Sequence, residues 1–501
     1  MKKILTIFID PKFILAIILL LALMVRLYKI DSPIADWHSW RQADTAAVTR
    51  DFIEQGFNPF LPKYEDMSGA AEHPMINIGR YRFVEFPLYN ILVYPLYLIF
   101  GVAEKYSRLV SALLSIGSII FVYLLAKRYQ DSLTALIAAA VFAFLPFNVF
   151  FSRTTLPEPT FVFFALGMLY FVDRWIYEQR PRLLWLGLFF TTLAFLLKPW
   201  AIFFALPLLY SMQKYENKFW FFKSRYLIFW VLALTPFLLW RVWIDQYPEG
   251  IPASSWLYNS DGIRFRPAFW WWLVSERIGG EILAVPGAIL FAIGSIMKPK
   301  ANLILNQKIV NAPYFLHFWL LSTFAYFAIF ATGNVRHNYY QILFVPVASI
   351  FVAIGISYLI RGSSSFVPRF WTIILCIILF PLMFYFSYTQ VIGLYQINNY
   401  PIVEAGRKAD QILPKDARVL APYNGDTAFL YQTNRPGWPI EALPVKDLIS
   451  KYGVTNYVSV SKDAKTKWMM KYFTVLVDNP DYVIVDLTHL QRPFENSDRE
   501  P

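Results

Sequence analysis

Hydrophobic runs close to the length that crosses a bilayer recur along the chain from Phe13 to about Tyr388. A transmembrane α-helix needs about 20 mostly apolar residues. Hydrophobic residues make up 57% of this chain and charged residues 16%, whereas soluble domains are less apolar and more charged. The sequence therefore predicts a polytopic α-helical membrane body over residues 1–390. Ordinary mixed composition predicts a soluble segment over residues 391–501.

The apolar runs predict about eleven membrane spans. They cover residues 13–29, 107–126, 132–151, 159–176, 183–197, 200–213, 225–244, 280–297, 313–331, 341–360 and 369–389. Basic residues occupy alternate short connections, for example Lys127, Arg128, Arg361 and Arg369. Because basic loops stay in the cytoplasm, the amino terminus is predicted inside and the segment after the last span outside.

The apolar run Phe86–Gly101 is predicted to lie along the membrane or to re-enter it without crossing. It has about sixteen residues and contains Pro87 and Pro95. Counting it as a span would put the basic connections on both sides of the membrane. The first outer loop is therefore predicted to cover residues 30–106, on the same face as the soluble segment.

Several classes of site have no sequence signal. The net charge of +12 comes from scattered Lys and Arg residues, which does not indicate nucleic-acid binding. Cys376 is the only cysteine, so neither a disulfide framework nor a cysteine-ligated metal site is predicted. No Gly-rich nucleotide loop, Walker motif or metal-ligand spacing occurs. No cofactor is predicted with certainty, and a divalent metal ion stays an open alternative.

The first outer loop carries carboxylates beside basic and amide side chains. From about Ser39 its pattern predicts an amphipathic helix on the membrane surface, with Trp40, Ala43, Ala47 and Val48 on the apolar side. Such groups suit acid–base chemistry on a substrate with a polar head and a lipid tail. The alternative is a solvated loop with interfacial tryptophans. The candidate site residues here are Asp36, His38, Arg41, Gln42 and Asp44.

Further charged and aromatic residues lie at predicted outer ends of spans. They are Glu85, Arg153, Glu158, Lys198, Arg336, His337, Tyr339 and Tyr340. A charged group at membrane depth is costly unless it is paired or functional. Each also has a structural alternative, such as Lys198 reaching towards water or Arg153 pairing with Glu158. Cations gathered with carboxylates predict a site for an anionic phosphate and a base for an incoming hydroxyl or amine.

The order of these motifs resembles the GT-C superfamily of membrane glycosyltransferases. The motifs are HSWRQADTA at 38–46, EFPLY at 85–89, RTTLPE at 153–158, KP at 198–199 and HNYYQ at 337–341. Within the superfamily, the likeness is to the branch of protein O-mannosyltransferases and lipid A aminoarabinose transferases. The resemblance implies transfer of a hexose or pentose from a polyprenyl-phosphate carrier. The acceptor would be a lipid, protein or glycan at the outer face of the cytoplasmic membrane.

The resemblance also implies an essential acid in the first outer loop. The family often has an Asp-Glu pair there, and residues 30–50 contain none. Asp44 is therefore predicted as the catalytic base, Asp36 is the alternative, and Glu85 resembles the acid of the family's second loop. Arg41, Lys198 and Arg336 are predicted to bind the donor phosphate, with His337, Tyr339 and Tyr340 lining the site. His38, Gln42, Arg153 and Glu158 are predicted to contact the acceptor or to support the site.

The soluble segment is predicted to be a small extracytoplasmic α/β domain. Strands are predicted at Arg418–Pro422, Tyr457–Val460 and Tyr482–Asp486, and helices at Ile402–Leu413 and Val445–Tyr452. Two rival functions stay open for the whole chain. A lipid or glycan transporter would also be polytopic, but its charged residues would concentrate inside the spans. A non-catalytic scaffold would carry no transfer chemistry.

Overall fold

The computed structural model describes residues 10–72, 75–216, 223–260, 262–299, 303–305, 308–310, 312–361, 368–493 and 500. It divides the chain into two compact units. The helical unit is Met1–Ile30, Arg108–Val242 and Ser254–Gly393. The mixed unit is Asp31–Ser107, Trp243–Ala253 and Leu394–Pro501. The last predicted segment thus shares one unit with the first outer loop.

The helical unit consists almost entirely of helices. Their bounds are Pro11–Arg26, Glu104–Tyr129, Ser132–Phe144, Pro146–Phe151, Glu158–Glu178, Pro181–Leu197, Ile202–Glu216, Ser224–Ile244, Trp256–Asn259, Pro267–Trp271, Ala284–Ile296, Phe315–Ile329, Ala331–Arg336, Val345–Arg361 and Arg369–Val391. A π-helix covers Trp272–Ile282, and 3-10 turns cover Pro199–Ala201, Ile263–Phe265 and Asn338–Leu343. Two short strands, β1 (Leu303–Leu305) and β2 (Lys308–Val310), pair antiparallel.

Each predicted span coincides with helical structure, although several spans are shorter or broken. Among the described residues, four helices are long and apolar enough to cross a membrane: Glu104–Tyr129, Glu158–Glu178, Ser224–Ile244 and Arg369–Tyr395. Five shorter apolar helices accompany them: Leu88–Phe100, Ser132–Phe144, Pro181–Leu197, Phe315–Ile329 and Val345–Arg361. The protein is therefore a multi-pass membrane protein, and the count of eleven crossings stays a prediction.

The predicted span 280–297 is bent. Its helix Ala284–Ile296 meets the preceding helical segment Pro267–Ile282 at 112°. The backbone turns at Ala284, whose φ of 53° lies in the left-handed region. A residue that has a side chain adopts this conformation only at a cost in free energy. It persists here because the surrounding helices fix the bend.

Glycines allow two helices of the helical unit to pack closely. A Cβ atom added at Gly294 would lie 1.9 Å from the Phe351 carbonyl oxygen, and one added at Gly355 would lie 2.1 Å from the Leu290 carbonyl oxygen. Only glycine fits both positions. Small residues that let helix backbones approach are typical of helix packing in membranes.

The mixed unit contains a five-stranded sheet in the order β4-β3-β5-β7-β6. The strands are β3 (Val419–Leu420), β4 (Gly437–Trp438), β5 (Asn456–Ser459), β6 (Phe473–Asp478) and β7 (Val483–Leu490). Strand β3 pairs in parallel with β4 and β5, and β7 pairs antiparallel with β5 and β6. The helices are Ser39–Glu54, Leu88–Phe100, Pro401–Ile412, Thr427–Thr433, Val445–Tyr452 and Ala464–Tyr472.

The helix Ser39–Glu54, here called the loop helix, is predicted correctly, but its apolar side faces protein. Ala43, Ala47 and Val48 are buried in one core with residues of Pro401–Ile412 and Thr427–Thr433. Alanine side chains are short, so the helices can approach closely. The surface predicted to contact the membrane is therefore covered by the C-terminal part of the chain.

Candidate active site

The loop helix begins after His38 and presents its polar side chains to neighbouring segments of the mixed unit. His38 has a left-handed backbone with φ of 54°, and its ring meets the edge of the Trp37 ring. Arg41 Nη2 donates to both oxygens of Glu85, at 2.6 and 2.8 Å. These two charge-assisted hydrogen bonds from one nitrogen fix both side chains. The structure thus joins the predicted phosphate ligand Arg41 to the predicted loop acid.

Asp44 lies in a buried polar cluster. Its Oδ2 accepts from Arg82 Nη2 at 2.6 Å, and its Oδ1 accepts from the Thr427 hydroxyl at 2.6 Å. Burial raises the pKa of the Asp44 carboxyl, although Arg82 and the Thr427 hydrogen bond act in the lowering direction. Both carboxylate oxygens are engaged, which links the loop helix to residues at 82 and 427.

Asp36 precedes the loop helix and is also buried. Its Oδ1 accepts from Gln42 Nε2 at 2.7 Å, and Gln42 donates as well to the Trp37 carbonyl oxygen at 3.0 Å. Gln42 therefore holds the segment that carries Asp36 against the first turns of the loop helix. The structure brings together the predicted residues Asp36, His38 and Gln42.

In the helical unit, Lys198 pairs with Glu158. The Lys198 Nζ lies 2.9 Å from Glu158 Oε1, and both side chains are almost fully buried. Lys198 follows the helix that ends at Leu197, and Glu158 begins the helix Glu158–Glu178. Lys198 also lies 4.7 Å from the ring centre of Trp200, close enough for a cation–π contact. The expectation that Lys198 only reaches towards water does not describe this arrangement.

The HNYYQ motif forms an aromatic cluster. The His337 ring stacks on Tyr339 at 5.4 Å and meets the edge of Tyr340 at 5.3 Å. Tyr340 in turn packs 4.6 Å from Trp200, beside Lys198. The guanidinium of Arg336 lies 5.2 Å from the centre of the Trp256 ring, which also meets His337 at 5.6 Å. These contacts bring the cations Lys198 and Arg336 to one group of rings.

Arg153 lies with two further arginines that the sequence reading did not select. Its Nη1 donates to the Lys29 carbonyl oxygen at 2.8 Å. Arg108 lies 3.4 Å from the same oxygen, and Arg26 donates to the Ser152 hydroxyl at 2.8 Å. All three arginines are fully buried. An arginine inside or beside an apolar span is a functional candidate by default, and that rule could have selected Arg26 and Arg108.

Glu281 is another residue that the sequence did not single out. It is buried in the π-helix before the bend, and its Oε1 accepts from Asn338 Nδ2 at 2.6 Å. Arg277 pairs with the other oxygen of Glu281. Asn338 lies inside the HNYYQ motif, so Glu281 fixes the motif from the π-helix. π-helical turns often occur at functional sites.

The predicted residues therefore fall into two groups. Asp36, His38, Arg41, Gln42, Asp44 and Glu85 lie in the mixed unit, and Arg153, Glu158, Lys198, Arg336, His337, Tyr339 and Tyr340 lie in the helical unit. Arg82, Thr427, Trp256 and Glu281 are contacts that the sequence did not reveal. Within the described part of the chain, no group of three or more His, Cys, Asp or Glu side chains is arranged to hold a metal ion.

Comparisons with known proteins agree on one fold. Residues 85–243 match the family model described as dolichyl-phosphate-mannose-protein mannosyltransferase. ArnT from Cupriavidus metallidurans in the apo state is similar in structure, with a TM-score of 0.66, 14% identity, and coverage of 94% of this chain and 97% of ArnT. A structure of ArnT bound to undecaprenyl phosphate gives a TM-score of 0.63 with the same identity and coverage.

Two more distant or partial matches extend this result. The apo oligosaccharyltransferase of Archaeoglobus fulgidus has a TM-score of 0.55 and 12% identity, covering 92% of this chain and 73% of that chain. An uncharacterized Aquifex aeolicus protein is 32% identical over 124 residues, which span 24% of this chain and 30% of that protein. The chain has the fold of the GT-C membrane glycosyltransferases, as the order of its motifs predicts.

Proposed function

We propose that this protein is a glycosyltransferase that takes a hexose or pentose from a polyprenyl-phosphate carrier. The acceptor is a lipid, protein or glycan at the outer face of the cytoplasmic membrane. The fold supports this proposal, because ArnT has the same fold and binds undecaprenyl phosphate. The observation that carries the proposal is that Lys198 and Arg336 each contact a ring of one aromatic cluster, because two cations beside one cluster suit a bound phosphate.

The donor phosphate is assigned to Lys198 and Arg336. A phosphate gains charge when the sugar leaves, and nearby cations stabilise that charge in the transition state. Lys198 is held by Glu158 at 2.9 Å, so its position is fixed before the donor binds. His337, Tyr339 and Tyr340 supply ring faces and polar atoms around these cations. Glu158 is thus a positioning residue in this proposal.

Chemically, the bond between the anomeric carbon and the phosphate oxygen breaks while a bond to the acceptor oxygen or nitrogen forms. The acceptor's proton passes to a carboxylate, and polyprenyl phosphate leaves with the bonding electron pair. No oxidant or reductant is needed. The transfer therefore uses a base for the acceptor proton and cations that stabilise the leaving phosphate.

We propose a different base from the one that the sequence favours. The sequence favours Asp44, but Asp44 is engaged at both oxygens by Arg82 and Thr427 and connects parts of the mixed unit. We therefore assign Asp36 as the base and Asp44 as a positioning residue. Gln42 orients Asp36 through its Oδ1 at 2.7 Å. Arg41 and Glu85 fix the loop helix beside it through their double contact.

The proposal is tested by incubating the purified protein in lipid nanodiscs with a panel of undecaprenyl-phosphate hexoses and pentoses. Membrane extracts supply the acceptors, and mass spectrometry follows the glycosylated product and the released undecaprenyl phosphate. At least one donor should yield both. Movement of intact donor across the bilayer without cleavage would instead establish a transporter.

A further inference from the structure

A polar cleft of about 260 Å³ lies within the mixed unit, lined by residues that the proposed function does not use. One wall is the last turn of the loop helix with part of the first outer loop. The other wall is the chain entering β3 and β4. Because β3 and β4 are parallel, the segments leading into them lie side by side at one edge of the sheet.

Opposite charges balance along the cleft. Its carboxylates are Asp51, Glu54, Glu65 and Asp416, and its cations are Arg80, Lys415, Arg418 and Arg435. Four of each sign make the lining formally neutral. A phosphate would face four carboxylates, and an amine would face four cations. A hydroxyl group both donates and accepts, so it can use both signs through charge-assisted hydrogen bonds.

Some of these groups already have partners, and others are available to a ligand. Arg80 Nη2 pairs with Asp51 at 2.7 Å, which holds one wall together. The Glu54 and Asp416 side chains are exposed, and neither makes a hydrogen bond or ion pair with the described residues. Arg418 donates from Nη1 to the Tyr452 carbonyl oxygen at 2.5 Å. The cleft thus offers acceptors on both walls beside a guanidinium that is already oriented.

Backbone strain occurs at the same place. Arg80 has a φ of 58°, in the left-handed region that a residue with a side chain rarely adopts. Strain of this kind persists where the surroundings fix it, and it concentrates at binding sites. Here the Asp51 contact fixes the side chain of the strained residue, and Asp51 belongs to the loop helix.

We propose that this cleft binds an uncharged saccharide unit of the acceptor. The volume is slightly below the roughly 300–1,000 Å³ of sites for drug-sized ligands, which suits one small ring. Among the described residues that line the cleft, Pro436 is the only apolar one, so they offer no matching surface to a lipid tail or an aromatic ring. Calling the ligand an acceptor unit rests on the proposed function, whereas saccharide binding does not.

Saccharide binding is tested on the full chain in lipid nanodiscs, because detergents with sugar headgroups would occupy the cleft. Saturation-transfer NMR measures binding of methyl α-glucoside, methyl α-mannoside and maltose. Glucose 6-phosphate and glucosamine test whether an anionic or a cationic sugar binds more weakly than the neutral sugars. The variant is Glu54→Ala with Asp416→Ala, and the matched control is Glu404→Ala on the exposed side of the helix Pro401–Ile412.

At least one neutral sugar should bind the original protein and the control, and bind the double variant about tenfold or more weakly. The cleft assignment fails if no neutral sugar binds, if the double variant binds as well as the control, or if a charged sugar binds more tightly. Donor cleavage is measured on the same samples. Loss of sugar binding in the double variant supports the cleft as a saccharide site, whether or not a donor is cleaved. Absence of donor cleavage would contradict the proposed function and leave the saccharide site standing.

Discussion

The substitution Asp44→Asn tests whether Asp44 is a positioning residue or the catalytic base. The Asp44 and Arg82 side chains are only 5% and 9% exposed, and their charged atoms lie 2.6 Å apart. Removing one partner leaves the other charge buried, which typically costs about 3–5 kcal/mol. Asparagine keeps the size of the side chain and can still accept from Thr427. Most of the loss should therefore come from the uncompensated Arg82.

The assay is thermal unfolding followed by tryptophan fluorescence, read as a midpoint because a two-unit membrane protein need not unfold in one step. Asp44→Asn should lower the midpoint clearly, and adding Arg82→Gln should cost less than the sum of the two single changes. The control Asp447→Asn breaks an exposed ion pair with Lys451, which should cost at most about 1 kcal/mol. If Asp44→Asn keeps the unfolding midpoint but abolishes sugar transfer, Asp44 is the base and not a positioning residue.

Three further outcomes are expected. Arg336→Ala should raise the KM for the donor by roughly 10- to 100-fold through loss of a charged hydrogen bond, whereas the exposed control Arg407→Ala should leave it unchanged. Equal KM values for the two variants would show that Arg336 does not bind the phosphate. Burial raises the pKa of Asp66 to about 6 from 3.8, so its contribution to stability is full below about pH 4 and is lost as the pH rises to about 6. The free energy of unfolding should fall by about 3 kcal/mol over that range, and Asp66→Asn should remove this fall and flatten the dependence of the unfolding midpoint on pH. An identical pH dependence in the two proteins would contradict the assignment. Reporter fusions after Gln130 should give a cytoplasmic signal and fusions after Pro501 an external one; a cytoplasmic signal after Pro501 would overturn the predicted topology.

Local patterns were sufficient to predict most helices, because apolar length and period depend only on neighbouring residues. The predicted helix Val445–Tyr452 agrees with the observed bounds, and strands β3, β5 and β7 overlap the predicted ones. The bend at Ala284 could not be predicted, since its left-handed backbone is imposed by packing and not by the alanine itself.

Long-range partners were the other part that the sequence could not reveal. The Asp44–Thr427 contact joins residues 383 positions apart, and no local pattern indicates it. Trp256 reaches His337 from a loop of mixed composition. The candidate motifs themselves were predictable because charged residues beside apolar runs are costly and therefore informative. Their roles depend on partners that only the fold supplies, as the contacts of Asp44 with Arg82 and Thr427 illustrate.

The most direct test of the central claim is the stoichiometry of donor cleavage in the purified protein. A donor labelled separately in the sugar and in the polyprenyl chain is supplied with acceptor, and both labels are followed. One polyprenyl phosphate should be released for each sugar transferred, and Asp36→Asn should slow both by about 10²–10⁴. Transfer of sugar and chain together to the same product, or no cleavage of any hexose or pentose donor, would contradict the account.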